Sequence, residues 1–595
     1  MQTLSHQNHV KSARAALVVA GLIAVIPFVL PHHGVAIAFY SEWAAFVIGI
    51  TACFPFACKT FWSPLQIPQS AIWLFAFVIL IAAQTLVVTP VYTSQALVPG
   101  IYLVWATVLF ILSAWIREQL GVERAVTVFA WMLLIGGALS ATIGLIQHLN
   151  VSGELAFLVD QKADNTFGNI GQRNHFATQI TLASFALIYL HATERINRTI
   201  AILLLSLFGL MLTASSSRAA LIYIVAGFFL TLISYRATRA PIHQRLLQGA
   251  ALLLALFLLF QFLLPLLNNW LKLLLADMGF DVNGLNALVA LQRNAAEGVD
   301  LRLSEWHKAW RMFVESPLWG IGIGNYGWYS FNYQALPEFS AVPEGVLFNH
   351  SHNLIMQVLA ELGILGFLLL LLMAFTWVRQ MLPEWKNPSC WLILSLLIVL
   401  LLHSNVEYPL WYSYFLGIAA ILLGLGSRTT LKIEFTPSLG QFTAVATLIF
   451  SAAILIITLL GAQDINVNQL IATTTPQQAA ATLHAVSKNP LLTPWAEAAV
   501  ALHGTPAKEI IEQQLLLSTR VLRYRPSPPF VNRQILYLSL SGRSDSASAL
   551  MKKALIVYPA DFAKFACSLE QTPSEEARQL WKEAEKLTKG TIECK

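Results

Sequence analysis

Charge is what this chain has least of: Asp, Glu, Lys and Arg make up 11% of 595 residues, against 56% hydrophobic residues. A sequence this poor in charge cannot solvate several soluble domains, so composition overrides the expectation that length alone would set. The lack of a phosphate-cradling loop of the G-x-x-x-x-G-K-[ST] kind leaves nothing to suggest ATP-driven transport. The polar loops assigned below to the outer face contain no D-x-D and no acidic pair at metal-binding spacing, which leaves a divalent cation without ligands. Cysteine is scarce, at five. Cys53, Cys58 and Cys390 lie in or near apolar runs and read as small buried side chains. Cys567 and Cys594 lie in the polar C-terminal stretch, where a disulfide between them is a hypothesis. The net charge of +6 is dispersed over many loops instead of one face, so nothing points to nucleic acid.

What the chain has instead is apolar runs of membrane-crossing length, recurring from Ala13 to Leu460. Thirteen candidate spans cover about 13–31, 42–58, 71–88, 98–116, 125–147, 176–193, 200–214, 219–235, 247–267, 354–378, 390–403, 411–427 and 441–460. This predicts an all-α polytopic membrane protein with a membrane domain over 1–462 and a polar helical tail over 463–595. The first run reads as a retained anchor, because Pro31-His32-His33 is a poor signal-peptide cleavage site. With the N-terminus in the cytoplasm, Lys11, Arg14, Lys59, Arg117, Arg124, Arg195, Arg198, Arg236, Arg239, Arg245, Arg379, Lys386, Arg428 and Lys432 all face inward. Only Lys162, Arg173 and Arg218 occupy the short outer loops, as the positive-inside bias requires. An odd number of spans puts the tail outside.

Four pieces then share the outer face: the end of the 149–175 loop, the turn Ser215-Ser216-Ser217-Arg218, a long loop over about 268–352, and His403 through Pro409. Loops longer than about 15 residues are usually functional. Inside the long loop, Leu303, Trp306, Trp310 and Phe313 recur at helical spacing, with Glu305, Lys308 and Arg311 on other faces. That pattern predicts a helix at the bilayer surface, ended by Pro317. The tail reads as short helices joined by Pro-containing turns, over 476–487, over 506–522 and after the capping box Thr572-Pro573-Ser574-Glu575.

The candidate site residues are few. Arg218 sits outside, against the charge bias, after three serines; it suits bidentate phosphate binding, and snorkelling to the interface gives the same pattern. Arg302 begins the surface helix, where a solvated polar face is the plainer reading; Arg293 and Arg311 are rivals for its role. His350-Ser351-His352-Asn353 opens the tenth span. H-x-H invites zinc, but no third ligand lies near in sequence. A neutral His352 imidazole at the membrane surface would instead suit proton acceptance, and two interfacial histidines are the alternative. Glu361, about two turns later, needs a polar partner or a cavity. Gly322-Ile323-Gly324-Asn325-Tyr326-Gly327 matches G-x-G-x-x-G without a strand or βαβ unit around it; a turn is the better reading and an anion nest the weaker. Trp319, Tyr326, Trp328, Tyr329, Phe331 and Tyr333 are candidates for stacking on sugars or for an interfacial belt.

The residues Arg302, Trp306, Ala309, Pro317, Gly320, Gly322, Gly324, Asn325, His352-Asn353 and Leu359-Ala360-Glu361-Leu362-Gly363 together resemble the signature of the O-antigen ligase and polymerase superfamily. Ser217-Arg218-Ala219 resembles its second arginine motif. The block Phe167-Gly168-Asn169-Ile170-Gly171-Gln172-Arg173-Asn174-His175-Phe176-Ala177 looks like the N-terminal motif of bacterial protein O-oligosaccharyltransferases of the PglL/PilO type. The resemblance implies a glycosyltransferase-C-like helical bundle in the bacterial inner membrane, with a periplasmic helical tail. It implies transfer of an oligosaccharide from an undecaprenyl-pyrophosphate carrier to a Ser or Thr hydroxyl of a periplasmic acceptor protein such as type IV pilin. No cofactor and no metal are expected. Arg218 and Arg302 would bind pyrophosphate and His352 would be the essential histidine. Gln172 and Tyr408 match positions of importance, while Arg173, His175, His350 and Glu361 are substrate-binding candidates. An O-antigen ligase or polymerase acting on a glycan or lipid A core is the alternative enzyme. A lipid-glycan transporter is the alternative of another class, which would place charges at the midplane and show inverted repeats.

Overall fold

The structure, a computed structural model, describes residues 2–31, 38–150, 153–160, 166–277, 296–340, 345–346, 348–465, 470, 474–571, 575–588 and 594. Each of the thirteen apolar runs contains helix. Among the described residues, eight helices are long and apolar enough to cross a membrane, at Gln7–Val29, Phe39–Ala57, Ser94–Leu120, Val122–Leu149, Ala219–Thr238, Pro241–Leu274, Leu354–Glu384 and Pro437–Gln463. Four shorter apolar helices lie at Gln69–Gln84, Arg198–Ala214, Pro388–Ser404 and Ser413–Gly426. The thirteenth run is Arg173–Ala192, whose buried Thr178, Gln179, Thr181 and Ser184 dilute its apolar character. The protein is a multi-pass, predominantly helical membrane protein.

The chain divides into two compact units. The first comprises Met1–Val78, Ile101–Asn294 and Leu369–Ile456. At its centre is Arg173–Ala192, in which every residue from His175 to Leu190 is buried. A helix apolar or self-satisfied all round belongs in such a core. Thr181 and Ser184 return their hydroxyls to the carbonyls of Ala177 and Ile180, both at 2.7 Å, which satisfies them without a partner helix. Gly137 faces Ala183 so closely that a Cβ on Gly137 would stand 2.1 Å from the alanine Cβ. Lipid supplies no hydrophobic drive between helices, so close backbone approach through small residues holds them. Sequence periodicity gave no hint of a two-stranded antiparallel ribbon in this unit, Leu65–Pro68 against Thr430–Ile433, with Leu65 opposite Ile433.

The second unit comprises Ile79–Gly100, Ala295–Leu368 and Ile457–Lys595. Its tail is a run of helices, Pro476–Ser487, Thr493–His503, Ile511–Tyr524, Pro528–Leu540, Ser544–Val557, Pro559–Glu570 and Glu575–Leu587, each packed on the next. Proline opens Pro476–Ser487, Pro528–Leu540 and Pro559–Glu570, where its missing N–H costs nothing. Thr475 and Gln478 form a reciprocal capping box. The capping box expected at Thr572 to Glu575 includes residues 572–574, which lie outside the described ones. Cys567 and Cys594 are joined in a disulfide. The tail packs on the helix Tyr326–Gln334, where Phe331 stacks on Tyr558 and Lys553 donates to Asn332 Oδ1 at 2.6 Å.

The amphipathic helix of the long loop is Ala296–Glu315. Two residues of its predicted apolar stripe are exposed, Leu303 at 53% and Trp310 at 48%, while Trp306 and Phe313 are half-buried. Glu305 and Lys308, expected on polar faces, are fully buried. Of the aromatics proposed for sugar stacking, Tyr326, Phe331 and Tyr333 are buried in core clusters and cannot serve as a platform.

Candidate active site

In the first unit, the 167–177 block is a turn that launches the central helix. Gly168 and Gly171 have φ of 60° and 69°, which side chains disfavour. A Cβ on Gly168 would also lie 2.9 Å from the Phe176 ring. Asn169 is fully buried and pins the turn, donating to the carbonyls of Val29 and Leu158 at 2.7 Å and accepting from the Asp160 amide at 3.0 Å. Gln172 caps the helix, accepting from the His175 amide at 2.7 Å. The Arg173 guanidinium lies over the Phe167 ring at 5.3 Å. His175 is buried, 3.2 Å from the Tyr414 hydroxyl and edge-on to Tyr412.

Asn174 joins three of the four pieces that the sequence assigns to one face. Its Nδ2 donates to Glu407 Oε1 at 2.8 Å, and its Oδ1 accepts from Ser217 Oγ at 2.7 Å. The neighbouring Tyr408 stacks on Tyr412 with centroids 5.7 Å apart. Burial pushes the Tyr408 phenol above its ordinary pKa, so it remains a neutral hydroxyl. Arg218 follows Ser217 directly and occupies the N-cap position of Ala219–Thr238. A cation and the positive end of a helix both favour a negative charge nearby. Guanidinium and helix terminus then act on the same negative charge.

The second unit holds Arg302, His350, His352 and Glu361. Arg302 is half-buried on the first part of Ala296–Glu315. One turn later Glu305 and Lys308 form a fully buried ion pair at 2.7 Å. Lys308 also donates to Ser330 Oγ at 3.3 Å, and the Tyr326 hydroxyl donates to Glu305 Oε2 at 2.8 Å. Burying two charges is tolerable only with such additional bonds.

The glycine motif is an amide nest whose acceptor is internal. Gly320, Gly322 and Gly324 have φ of 71°, 93° and 78°. The Gly324 and Tyr326 amides donate to Glu361 Oε1 at 2.9 and 3.3 Å. Gln84 ties the other side, donating to the carbonyls of Trp319 and Glu361 at 2.5 and 2.6 Å and accepting from the Ile323 amide at 3.0 Å. Glu361 also bonds the Gln357 side chain, whose Oε1 accepts from the Ser351 amide at 2.8 Å. His352 has φ 56°, a left-handed conformation uncommon outside glycine, of the kind that clusters at functional sites. Its amide donates to His350 Nδ1 at 2.8 Å, so the His350 ring proton belongs on Nε2. Burial first, and the nearby His352 second, hold His350 well below the usual imidazole pKa, and therefore neutral.

Comparison with known proteins bears on both units. The family model described as O-Antigen ligase matches residues 201–371. That described as virulence factor membrane-bound polymerase, C-terminal, matches 391–571. The chain is 24% identical over 415 residues to a general O-oligosaccharyltransferase of Acinetobacter baylyi, covering 69% of each chain. It is 23% identical over 409 residues to a ComP-specific O-oligosaccharyltransferase of the same organism, covering 68% of this chain and 70% of the relative. These matches support a protein O-oligosaccharyltransferase of the O-antigen ligase superfamily.

For an oligosaccharyltransferase, the residues read from sequence separate by place. Gln172, Arg173, His175, Arg218 and Tyr408 lie in the first unit, and Arg302, His350, His352 and Glu361 in the second. Gln172, His175 and Glu361 use their side chains to hold backbone or neighbouring rings. Arg218, Arg302 and His352 are the half-buried groups among the proposed catalytic residues. Sequence reasoning passed over Gln84, Gln357 and the buried Glu305–Lys308 pair, because an isolated Gln, or a Glu and Lys three apart on a helix, has no motif to announce it.

Proposed function

We propose that this oligosaccharyltransferase takes its glycan from an undecaprenyl-pyrophosphate carrier. The acceptor is a Ser or Thr hydroxyl of a periplasmic protein such as type IV pilin. The observation that carries the reading is the likeness to two O-oligosaccharyltransferases over 69% and 68% of the chain, one named general and one ComP-specific. The chemistry of the candidate residues supports it.

In the proposed reaction the hydroxyl oxygen attacks the anomeric carbon. The bond from that carbon to the pyrophosphate oxygen breaks, and the lipid pyrophosphate leaves with the electron pair. Its oxygens gain charge as the bond lengthens. Arg218, reinforced by its helix terminus, and Arg302 are suited to stabilise them, with no metal required. The hydroxyl proton passes to His352, a general base of ordinary type for a poor nucleophile. Gln172, Arg173, His175 and Tyr408 in the first unit, and His350 and Glu361 in the second, are the proposed substrate-binding residues. The apolar helices of 1–462 hold the polyprenyl chain at the inner membrane, with the outer loops and the 463–595 tail in the periplasm.

A second reading, an O-antigen ligase or polymerase, is favoured by the family model over 201–371. Intact-mass analysis of periplasmic proteins and pilin in a deletion strain, with lipopolysaccharide examined in parallel, separates the two. Loss of glycan mass from protein with unchanged lipopolysaccharide is the expected result. Loss of O-antigen with unchanged protein masses overturns the proposal in favour of the ligase.

A further inference from the structure

We infer that Tyr326 is a positioning residue: it registers the helix bearing Arg302 against the turn bearing His352. The inference rests on the proposed roles of those two residues and adds the device that aligns them. Both lie in the second unit, on different elements. Arg302 is on Ala296–Glu315, and His352 stands just before Leu354–Met381.

Tyr326 is fully buried and faces both elements. Its hydroxyl donates to the Glu305 backbone carbonyl at 2.9 Å and to Glu305 Oε2 at 2.8 Å, one helical turn beyond Arg302. Its amide donates to Glu361 Oε1 at 3.3 Å. From Glu361 the chain runs through the Gln357 side chain to the Ser351 amide, next to His352. At the other end, Lys308 and Ser330 hold Glu305 in place. The path from Arg302 to His352 is therefore a short series of buried hydrogen bonds with Tyr326 at its middle. Such a network is rigid because every alternative leaves a buried polar group unsatisfied. A reaction that needs a cation on the leaving group and a base on the nucleophile is sensitive to their spacing, and a displacement of about 1 Å costs about 100-fold in rate.

The test uses the full-length enzyme in nanodiscs with a lipid-pyrophosphate-linked glycan and an acceptor protein. Tyr326→Phe removes the bonds to Glu305 and keeps the amide to Glu361. It is expected to lower kcat by 10-fold or more, with donor KM within threefold of wild type. A variant that merely loosened the fold would instead lower the active fraction, read by active-site titration, and leave kcat per active site intact. The double variant E305Q/K308M removes both buried charges, so that loss of the Tyr326 hydroxyl no longer strips a bond from a buried carboxylate, and its own kcat is the reference for a second background. If Tyr326→Phe does not insert, Tyr326→Phe in the E305Q/K308M background serves as the second variant, with the same expected loss relative to that background. Wild-type kcat in Tyr326→Phe, with Arg302→Ala and His352→Ala inactive, overturns the inference and leaves the proposed function standing. Activity in Arg302→Ala or His352→Ala overturns both.

Discussion

Replacing Gly363 by Ala tests how the turn bearing His352 is held. The helix Leu354–Met381 breaks at this residue, with φ 65° and ψ −160°. That region is open to glycine almost alone and costs another residue about 1–3 kcal/mol. A Cβ there would stand 2.4 Å from the Leu318 carbonyl oxygen and 2.8 Å from the Gly320 amide. Both are backbone atoms and cannot rotate aside. Gly320 repeats the constraint from the other segment, with its own Cβ position 2.4 Å from the Glu361 carbonyl carbon. Restoring normal contact requires the two segments to part by about 1 Å. Three backbone bonds span the crossing: Ile321 to Ala360 at 2.9 Å, Gly322 to Glu361 at 3.2 Å and Ile364 to Pro317 at 2.8 Å. Losing one leaves buried groups unpaired, at about 1–3 kcal/mol. Gly363→Ala is therefore expected to destabilise the unit by about 2–6 kcal/mol. Gly345 has φ 65° with open space around its Cβ position, so Gly345→Ala should cost only the backbone term, about 1–2 kcal/mol. Size-exclusion chromatography after heating in detergent reads the stability, and transfer per folded molecule reads the displacement of His352. A Gly363→Ala enzyme that survives heating and turns over like Gly345→Ala refutes the crossing as the element that fixes this turn.

Asn174→Ala removes both bonds that join Ser217 to Glu407 and is expected to cost about 2 kcal/mol. It should lower transfer without abolishing insertion; full activity in a donor-titration assay would contradict this. Lys308→Ala strands the fully buried Glu305 carboxylate and is expected to cost about 3–5 kcal/mol, read as lost folded yield, whereas E305Q/K308M should fold nearly normally. Cys567→Ser frees 27 residues of chain separation from its disulfide and should raise the protease sensitivity of the tail's end by an amount corresponding to about 3 kcal/mol. His350 has its folded pKa lowered from 6.5. Its contribution to stability is present above that value and lost as pH falls below it. Thermal stability should drop between about pH 7 and pH 5, and His350→Asn, which retains an acceptor for the His352 amide, should reduce that drop. An unchanged profile would contradict the burial argument.

The membrane helices were legible because hydropathy over a span is a local property, and each apolar run became helix. The turn at 167–175 was legible as a motif, but its workings were not: Asn169 reaches Val29 and Asn174 reaches Glu407, contacts that no window of sequence contains. Glu305 and Lys308 misled the amphipathic reading of Ala296–Glu315. Their spacing describes a polar face equally well whether water or Ser330 and Tyr326 covers it. Bilayer placement of that helix stays consistent with exposed Leu303 and Trp310. The glycine motif is a turn whose amides bond an internal carboxyl group, that of Glu361, 37 residues beyond Gly324. Grouping of Ile79–Gly100 with the tail was also invisible, since contacts of that range leave no local trace.

The most direct measurement is intact mass of an acceptor protein after incubation with reconstituted enzyme and undecaprenyl-pyrophosphate-linked oligosaccharide. The account predicts a mass gain of one glycan on Ser or Thr with the wild-type enzyme, and none with folded Arg218→Ala, Arg302→Ala or His352→Ala. An acceptor left unmodified while glycan moves to lipid A core, or unimpaired transfer by those variants, would contradict it.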